Sequence, residues 1–234
     1  PVDAPNAAGA PGVCVVALSC YPDIFAPLRD QMDYWEPNVR KLLVTSGNQV
    51  FEAPGWEIIQ GIEPFIFGRN ANIGIRMAGA NDVLLLNDDV RLSGQIVNKL
   101  KDTADSSPQV GILTPQVKGG CGNLMQRSGA RIKGHVGYTD QGLAFIAVYI
   151  KHSTVARVGL FDERFSGYGC EDSDYCLRVR AAGLNCGITA GVTVLHGDGA
   201  VTCSSSFLRQ MTAGQQASSM NEMRQLLASK WAKK

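Results

Sequence analysis

Short apolar runs recur along the chain, and polar or glycine residues bound each of them. Runs of about four to eight apolar residues are typical of strands that lie buried on both faces of a helix-covered sheet. They predict strands at Val13–Ser19, Lys41–Val44, Val83–Leu86, Ala144–Ile150 and Ile188–Leu195. Two shorter candidates follow the second of these strands, at Trp56–Gln60 and Phe65–Phe67.

Between these runs, apolar residues recur three or four positions apart, as they do on the buried face of a helix. The spacing predicts helices whose inner faces contain Leu28, Met32 and Trp35, then Ile73, Met77 and Ala80. Helix starts are predicted at Asn72, Ser93 and Asp174, and at a capping box formed by Ser219 and Glu222. The alternation of strands and helices predicts an α/β fold with a mostly parallel central sheet and helices on both faces.

Two acidic clusters and a histidine follow the apolar segments. Asn87, Asp88 and Asp89 come directly after the strand at 83–86, Glu171–Asp174 precedes a predicted helix, and His196 follows the last strand. Open α/β sheets bind ligands at the carboxyl ends of their strands, and adjacent carboxylates repel each other unless a cation neutralises them. Taken one at a time, a solvated turn, an acidic helix start and a core histidine remain alternative interpretations.

Length and composition fit one soluble α/β domain. The 234 residues are 45% hydrophobic and 18% charged, and the formal net charge of +1 argues against a nucleic-acid partner or an anionic membrane surface. No apolar run approaches the roughly 20 residues of a membrane span, and no signal-peptide pattern is present. Residues 1–12 are predicted to be a disordered linker, which raises the expectation of one module within a larger polypeptide, and residues 13–234 a single domain.

The cysteines favour a reducing compartment. There are seven of them, an odd number, and no Cys-x-x-Cys pair occurs. Free thiols are therefore expected in preference to a disulfide framework or a zinc site. The expected location is the cytoplasm, with peripheral attachment to a membrane left open.

Several motifs together resemble the family 2 glycosyltransferases with the GT-A fold. The motifs occur in the family's order: Gly68-Arg-Asn-Ala-Asn-Ile-Gly74, Leu85-Leu-Asn-Asp-Asp89, Gln126-Arg-Ser-Gly129, Gly159-Leu-Phe-Asp-Glu-Arg-Phe165, Gly169-Cys-Glu-Asp-Ser-Asp174 and Val194-Leu-His196. The resemblance covers roughly Val13 to Trp231. It implies a Rossmann-like nucleotide-diphospho-sugar transferase fold, with a nucleotide-sugar-binding half at 13–115 and an acceptor-binding half at 116–234.

The resemblance also implies a metal-dependent, inverting glycosyltransferase. Such an enzyme moves a sugar from a nucleotide-diphosphate sugar, a UDP-sugar by family frequency, to a hydroxyl of a glycan or another acceptor. Asp89 and His196 are expected to hold Mn²⁺ or Mg²⁺, which neutralises the diphosphate leaving group. Asp172 is expected to act as the general base and Glu171 to orient the acceptor. Contacts with the sugar donor are expected from Ala17, Leu18, Ser19, Thr45, Arg69, Asn72, Asn87 and Asp88.

Two departures and two alternative functions qualify this interpretation. The metal motif reads Asn87-Asp-Asp89, where the family has Asp-x-Asp, and the segment after the second strand offers no carboxylate for the nucleoside. A nucleotidyltransferase is one alternative, but Cys20-Tyr-Pro-Asp23 lacks the glycine-rich basic loop expected there. A non-catalytic, glycosyltransferase-like sugar-binding module is the other.

Overall fold

A computed structural model describes residues 12–120, 123–196 and 209–232. Residues 1–11 of the predicted linker lie outside the described part. The strands are β1 (Val13–Ser19), β2 (Arg40–Thr45), β3 (Glu57–Gln60), β4 (Asp82–Asn87), β5 (Val90–Arg91), β6 (Val110–Lys118), β7 (Val136–Tyr138), β8 (Ala147–Ile150) and β9 (Asn185–His196). The helices are α1 (Pro22–Trp35), α2 (Phe67–Ala78), α3 (Val97–Asp105), α4 (His152–Val158), α5 (Glu171–Ala181) and α6 (Ala213–Trp231), with a 3₁₀ turn at Leu124–Gln126.

All the described strands join one sheet, in the order β3-β2-β1-β4-β8-β6-β9-β5, with β7 paired to β9. The first four strands in this order are parallel, as predicted. The remainder is mixed: β8 runs antiparallel to β4 and β6, whereas β6 and β9 are parallel. Parallel neighbours need a long crossover connection, usually a helix. In the described residues, the chain between β6 and β8 contains the 3₁₀ turn and β7 but no helix, and the two strands pair antiparallel.

Helices cover both faces of the sheet, as the apolar runs predict. Side chains alternate along β1, so that Val15 and Ala17 face the layer of α1 and α3, whereas Val16 and Leu18 face the layer of α2 and α5. These side chains are almost completely buried. The core therefore consists of two apolar layers with the sheet between them.

The start of α2 differs from the prediction. The helix begins at Phe67, so the 65–67 segment is not a strand and Asn72 lies inside the helix instead of capping it. The buried face contains Gly74 and Ile75, whereas Met77 is 47% exposed. Gly74 explains this rotation, because a Cβ there would lie 2.3 Å from Cγ1 of Val16. The glycine lets α2 approach the sheet closely.

Two predicted helix caps are wrong, and a tertiary contact replaces the first of them. The helix α3 begins at Val97 rather than after Ser93, and Oε1 of Glu36 accepts hydrogen bonds from the N–H groups of Ile96 and Val97 at 2.7 and 2.9 Å. The helix α6 is capped by Thr212 with Gln215. Ser219, the predicted cap, lies within α6.

The structure describes five cysteines, all of them buried: Cys14, Cys20, Cys170, Cys176 and Cys186. Cys121 and Cys203 lie outside the described residues. Within the described ranges, no helix combines the length and apolarity that crossing a bilayer requires.

Candidate functional site

The carboxyl ends of β1, β2 and β4 lie at one edge of the sheet and carry polar side chains. Ser19 is in register with Thr45, and Leu18 with Asn87. The hydroxyl of Ser19 donates to Oδ2 of the buried Asp88 at 2.7 Å. The first acidic cluster is therefore anchored to the end of the neighbouring strand.

Asp89 and His196 meet at this edge. The strand β5 begins directly after Asp89 and pairs antiparallel with the end of β9, so that Val90 lies opposite His196. Nε2 of His196 lies 3.5 Å from Oδ2 of Asp89, and their side chains are 7% and 0% exposed. The pairing of two distant segments creates the cluster.

The tautomer of His196 follows from its other ring nitrogen. Nδ1 lies 2.5 Å from the carbonyl oxygen of Gly120, which can only accept a hydrogen bond, so Nδ1 carries the proton. In the neutral imidazole, Nε2 then carries the lone pair, and this is the nitrogen that faces Asp89. Gly119 makes this approach possible, because it has φ +115° and a Cβ there would lie 2.7 Å from the carbonyl oxygen of His196.

This pair fits a hard divalent cation. Two neighbouring ligands of an octahedral ion at about 2.1 Å lie about 3 Å apart, close to the separation observed here. A histidine that ligates a metal usually donates its other N–H to a carbonyl or carboxylate, as His196 does. Among the ranges that the structure describes, no group of three or more His, Cys, Asp or Glu side chains could hold a metal ion. The remaining ligands would have to be phosphate oxygens and water, which is common for Mg²⁺.

The second acidic cluster begins α5 and lies next to the end of β4. Oδ1 of Asp172 accepts hydrogen bonds from N–H and Oγ–H of Ser173 at 2.6 and 3.2 Å. The N–H of Phe145 also donates to Asp172, and the next residue, Ile146, accepts from the N–H of Asn87 at 2.9 Å. The segment of Phe145 and Ile146 therefore links Asp172 to β4, the strand that leads into the first acidic cluster.

Burial determines the protonation of the two carboxyl groups. It raises the pKa of Glu171 to about 8, and the charge of Asp172 adds to the effect. Burial also raises the pKa of Asp172, but hydrogen bonds from Ser173 and Phe145 oppose that shift. Oε2 of Glu171 is buried without a hydrogen-bond partner among the described residues. At neutral pH, Glu171 is therefore mainly protonated and Asp172 is the better-stabilised carboxylate.

The loop before α5 is constrained by its packing against α6. Gly169 and Cys170 both adopt left-handed backbone conformations, with φ of 88° and 73°. Left-handed φ is uncommon for a residue with a side chain and tends to occur at functional sites. A Cβ at Gly169 would lie 2.5 Å from Cε of Met220, and the N–H of Tyr168 donates to Oγ of Ser219 at 2.7 Å. Packing against α6 thus explains the glycine.

Asp174 differs from its neighbours in the cluster. The sequence alone favours a helix N-terminus for it, and it does lie in the first turn of α5. Its carboxylate is also fully buried and accepts from Nε of Arg178 at 2.8 Å and from Nε1 of Trp231 at 3.0 Å. It therefore joins α5 to the end of α6.

The predicted sugar-donor residues fall into different environments. The side chains of Ala17 and Leu18 belong to the two apolar layers, so only their main chain can contact a ligand. Thr45 is buried, and its hydroxyl lies 3.5 Å from the carbonyl oxygen of Ile59. Arg69 remains partly exposed, with Nε 3.9 Å from Oε2 of Glu163.

Asn72 is engaged by the protein itself. Its Nδ2 donates to the carbonyl oxygen of Phe161 and to Oε1 of Glu163, both at 3.0 Å, and its Oδ1 accepts from the N–H of Phe161 at 2.8 Å. The side chain is buried and links α2 to the 161–163 segment. Its predicted contact with the sugar donor stays a prediction.

A cleft of about 380 Å³ lies beyond the ends of β1 and β2. Its walls include Tyr21, Ser46, Glu63, Phe65 and Gln210. Glu63 supplies a carboxylate that the sequence after the second strand lacks. Reasoning from sequence did not identify Glu63, Phe65 or Gln210 as site residues, because the cleft is built from four separate segments and no local motif connects them.

Comparisons with known proteins identify the fold. A scan against protein-family models gives no match, and a search of curated proteins gives no relative. Two solved structures are similar across most of this chain. S. aureus TarS matches with a TM-score of 0.61, 11% identity and 80% of this chain covered. GalNAc-T7 with UDP, GalNAc and Mn²⁺ matches with a TM-score of 0.66, 10% identity and 82% covered.

The chain spans 36% and 45% of the lengths of those two proteins. Both have the GT-A fold. Likeness at this level of identity concerns the fold, and it confirms the predicted α/β architecture, with a large central sheet and helices. This chain therefore has the GT-A fold.

Proposed function

We propose that this protein is a metal-dependent, inverting glycosyltransferase that transfers a sugar from a UDP-sugar to a hydroxyl group of an acceptor. One observation carries the proposal: Asp89 and His196, far apart in the sequence, lie 3.5 Å apart at the carboxyl edge of a GT-A sheet. A buried carboxylate beside an imidazole whose Nδ1 is hydrogen-bonded to a carbonyl oxygen is suited to a hard cation. The GalNAc-T7 structure, similar in fold, is described with UDP, GalNAc and Mn²⁺.

In this proposal, the sugar donor lies along the edge formed by β1, β2 and β4. The cleft beside Tyr21 and Phe65 takes the nucleoside, and Glu63 accepts hydrogen bonds from it. Asp89 and His196 hold Mn²⁺ or Mg²⁺, which when bound supplies Lewis-acid stabilisation of the departing diphosphate.

The polar residues around this edge complete the contacts with the sugar donor. Ser19 holds Asp88 in place, Asn87 offers an amide to the ribose, and Thr45 borders the nucleoside. Arg69 adds positive charge for the diphosphate.

Asp172 takes the proton of the acceptor hydroxyl in the same proposal. Its raised pKa makes it a stronger base than an exposed aspartate, and its bonds from Ser173 and Phe145 orient one oxygen. Glu171, protonated at neutral pH, donates a hydrogen bond that orients the acceptor. Attack by the acceptor oxygen in a single displacement inverts the anomeric configuration. No covalent intermediate is required.

The first experiment is a thermal-shift screen of UDP-, GDP- and dTDP-sugars with and without Mn²⁺. A ligand that binds only the folded state raises the melting temperature. We expect UDP-sugars to stabilise the protein, and to do so more strongly with Mn²⁺. No stabilisation by any of these sugars with Mn²⁺ would contradict the proposal.

The stereochemistry of the product tests the mechanism. Transfer to a hydroxyl acceptor, followed by NMR of the new anomeric centre, should show inversion. Retention would exclude the single displacement. Stabilisation by the sugar without transfer to any acceptor would favour the non-catalytic sugar-binding module.

A further inference from the structure

Positive charge is concentrated in one part of the acceptor half. Between Asp105 and Asp140 the chain contains Lys118, Arg127, Arg131 and Lys133 and no acidic residue. This is unusual in a chain whose 22 basic and 21 acidic residues almost cancel. We call these four residues the basic surface.

The side chains of the basic surface are exposed. Within residues 12–120, 123–196 and 209–232, no ion pair involves any of the four, although eleven ion pairs occur elsewhere. Their charges are therefore not neutralised by neighbouring carboxylates. Exposed positive charges of this kind create a local potential that attracts anions even when the whole protein is nearly neutral.

Main-chain contacts place this surface beside the candidate metal pair. Lys118 is the last residue of β6 and pairs with Leu195, the residue before His196. Two residues after Lys118, the carbonyl oxygen of Gly120 accepts the hydrogen bond from His196. The basic surface therefore begins at Lys118, whose strand partner Leu195 is adjacent to His196 of the proposed metal pair.

Arg127 and Arg131 are held next to the same end of β6. Arg127 forms a parallel bridge with Val117, and the N–H of Ser128 donates to the carbonyl oxygen of Val117 at 2.8 Å. Nε2 of Gln116 donates to the carbonyl oxygen of Ala130, the residue before Arg131, at 2.8 Å. The fold therefore keeps these arginines alongside β6.

We infer that the acceptor is an anionic glycan, whose phosphate or carboxylate groups bind the basic surface while one of its hydroxyls reaches Asp172. This inference rests on the proposed function and names its acceptor class. Proximity to the metal pair favours a substrate over a remote partner. The guanidinium groups of Arg127 and Arg131 suit both phosphate and carboxylate.

The test measures binding of two anionic probes, inorganic polyphosphate and polygalacturonate, with neutral dextran for comparison. The metal is omitted so that chelation by the probes does not interfere. We expect the wild-type protein to bind an anionic probe but not dextran, and added salt to weaken the binding because it screens charge. The two anionic probes distinguish phosphate from carboxylate recognition.

The decisive variant carries Arg127→Glu, Arg131→Glu and Lys133→Glu. Its affinity for the anionic probe should fall at least about tenfold, because like charges then face each other. The matched control, Arg76→Glu with Lys99→Glu, changes exposed basic residues on α2 and α3. It should bind within about twofold of wild type, since isolated surface charges contribute little.

The melting-temperature shift caused by a UDP-sugar and Mn²⁺ is measured on both variants. This shift shows whether each variant is folded and still binds the sugar donor, independently of the basic surface. If the shift persists but charge reversal leaves probe binding unchanged, the acceptor inference is wrong and the proposed function stands. An absent shift in wild type would instead contradict the proposed function.

Three other outcomes would also overturn the inference. Equal losses in the two variants would show that the binding depends only on overall charge. If dextran bound as strongly as the anionic probes, binding would not depend on negative charge in the ligand. Tighter binding to duplex DNA, or to phosphatidylglycerol-containing vesicles, than to either anionic probe would assign the surface to a nucleic acid or a membrane.

Discussion

Lys230 places its Nζ 2.6 Å from Oδ1 of Asp174, whose side chain has no exposed surface. The same ammonium group lies 2.7 Å from Oδ2 of Asp162, and Arg178 and Trp231 donate to the Asp174 carboxylate. These contacts fasten the end of α6 to α5 and to the loop before it. Asp172 lies on the first turn of α5, so the buried ion pairs also support the position of the proposed base.

Breaking this network should destabilise the protein. Lys230→Met leaves the Asp174 carboxylate buried with less compensation, and loss of one partner of a buried ion pair costs about 3–5 kcal/mol. Lys230→Arg should lose less, because it keeps the charge. Urea denaturation measures both, with Lys99→Met on the exposed face of α3 as the control. If Lys230→Met were as stable as wild type, the network would not hold α6 in place.

Replacing the proposed base should remove transfer and leave sugar-donor binding intact. Asp172→Asn keeps the shape of the side chain but cannot accept the acceptor proton, so we expect the transfer rate to fall about 10²–10⁴-fold. The shift in melting temperature with UDP-sugar and Mn²⁺ should stay near the wild-type value. Asp102→Asn, an exposed change on α3, serves as the control and should keep full activity. Undiminished transfer by Asp172→Asn would rule out this residue as the base.

Removing either side chain of the proposed metal pair should abolish the effect of Mn²⁺. With UDP present, Mn²⁺ should raise the melting temperature of wild type but not of Asp89→Ala or His196→Ala. EDTA should stop transfer, and added Mn²⁺ should restore it. The exposed His135 provides the control, since His135→Ala should respond to Mn²⁺ like wild type. A full response in the His196→Ala variant would show that the ion binds elsewhere.

The buried carboxyl of Glu171 should make stability depend on pH. Its pKa rises from 4.5 in the unfolded chain to about 8 in the folded protein. Between these values the folded state retains a proton that the unfolded state has released, so rising pH lowers the free energy of unfolding. The stability that protonated Glu171 contributes is fully present below pH 4.5, the unfolded pKa, and is lost as the pH rises through about 8, the folded pKa.

Glu171→Gln should therefore flatten the pH dependence between about pH 5 and pH 8, as measured by urea denaturation across this range. It should also be more stable than wild type at the upper end, because the amide carries no charge to bury. Glu52→Gln, at an exposed position, should keep the wild-type slope. Parallel curves for Glu171→Gln and wild type would mean that Glu171 does not hold a proton in the folded state.

Local pattern was enough to predict most of the framework. The apolar run at Val13–Ser19 coincides with β1, and the run at Val83–Leu86 lies within β4. Both strands are buried on both faces, and such strands consist of continuous apolar residues. This pattern can be recognised without knowing which strands pair with them. Gly183 has φ +73° just after Ala182, the C-cap of α5, which is the left-handed conformation that glycine commonly adopts where a helix ends. Such signals are local because the backbone geometry of one residue or one turn produces them.

The predicted helix caps were wrong where the side chain instead contacts a segment distant in the sequence. Asn72 and Ser219 resemble helix caps, yet both lie within helices and bind segments far away in the sequence. Serine and asparagine offer the same hydrogen-bonding atoms to a cap and to a tertiary contact. The real cap of α3 comes from Glu36, and nothing local indicates that pairing.

The sequence by itself determined most of the buried strands, their order of appearance and the chemical types that follow them. The buried strand β6 was not predicted. Only the tertiary structure decided that β8 reverses the sheet and that β5 pairs with the end of β9. That pairing brings Asp89 to His196, and the main chain at 145–146 brings Asp172 to the end of β4. The physical reason is range: burial and helix geometry act within a few residues, whereas the site forms from hydrogen bonds between segments that only the folded sheet brings together.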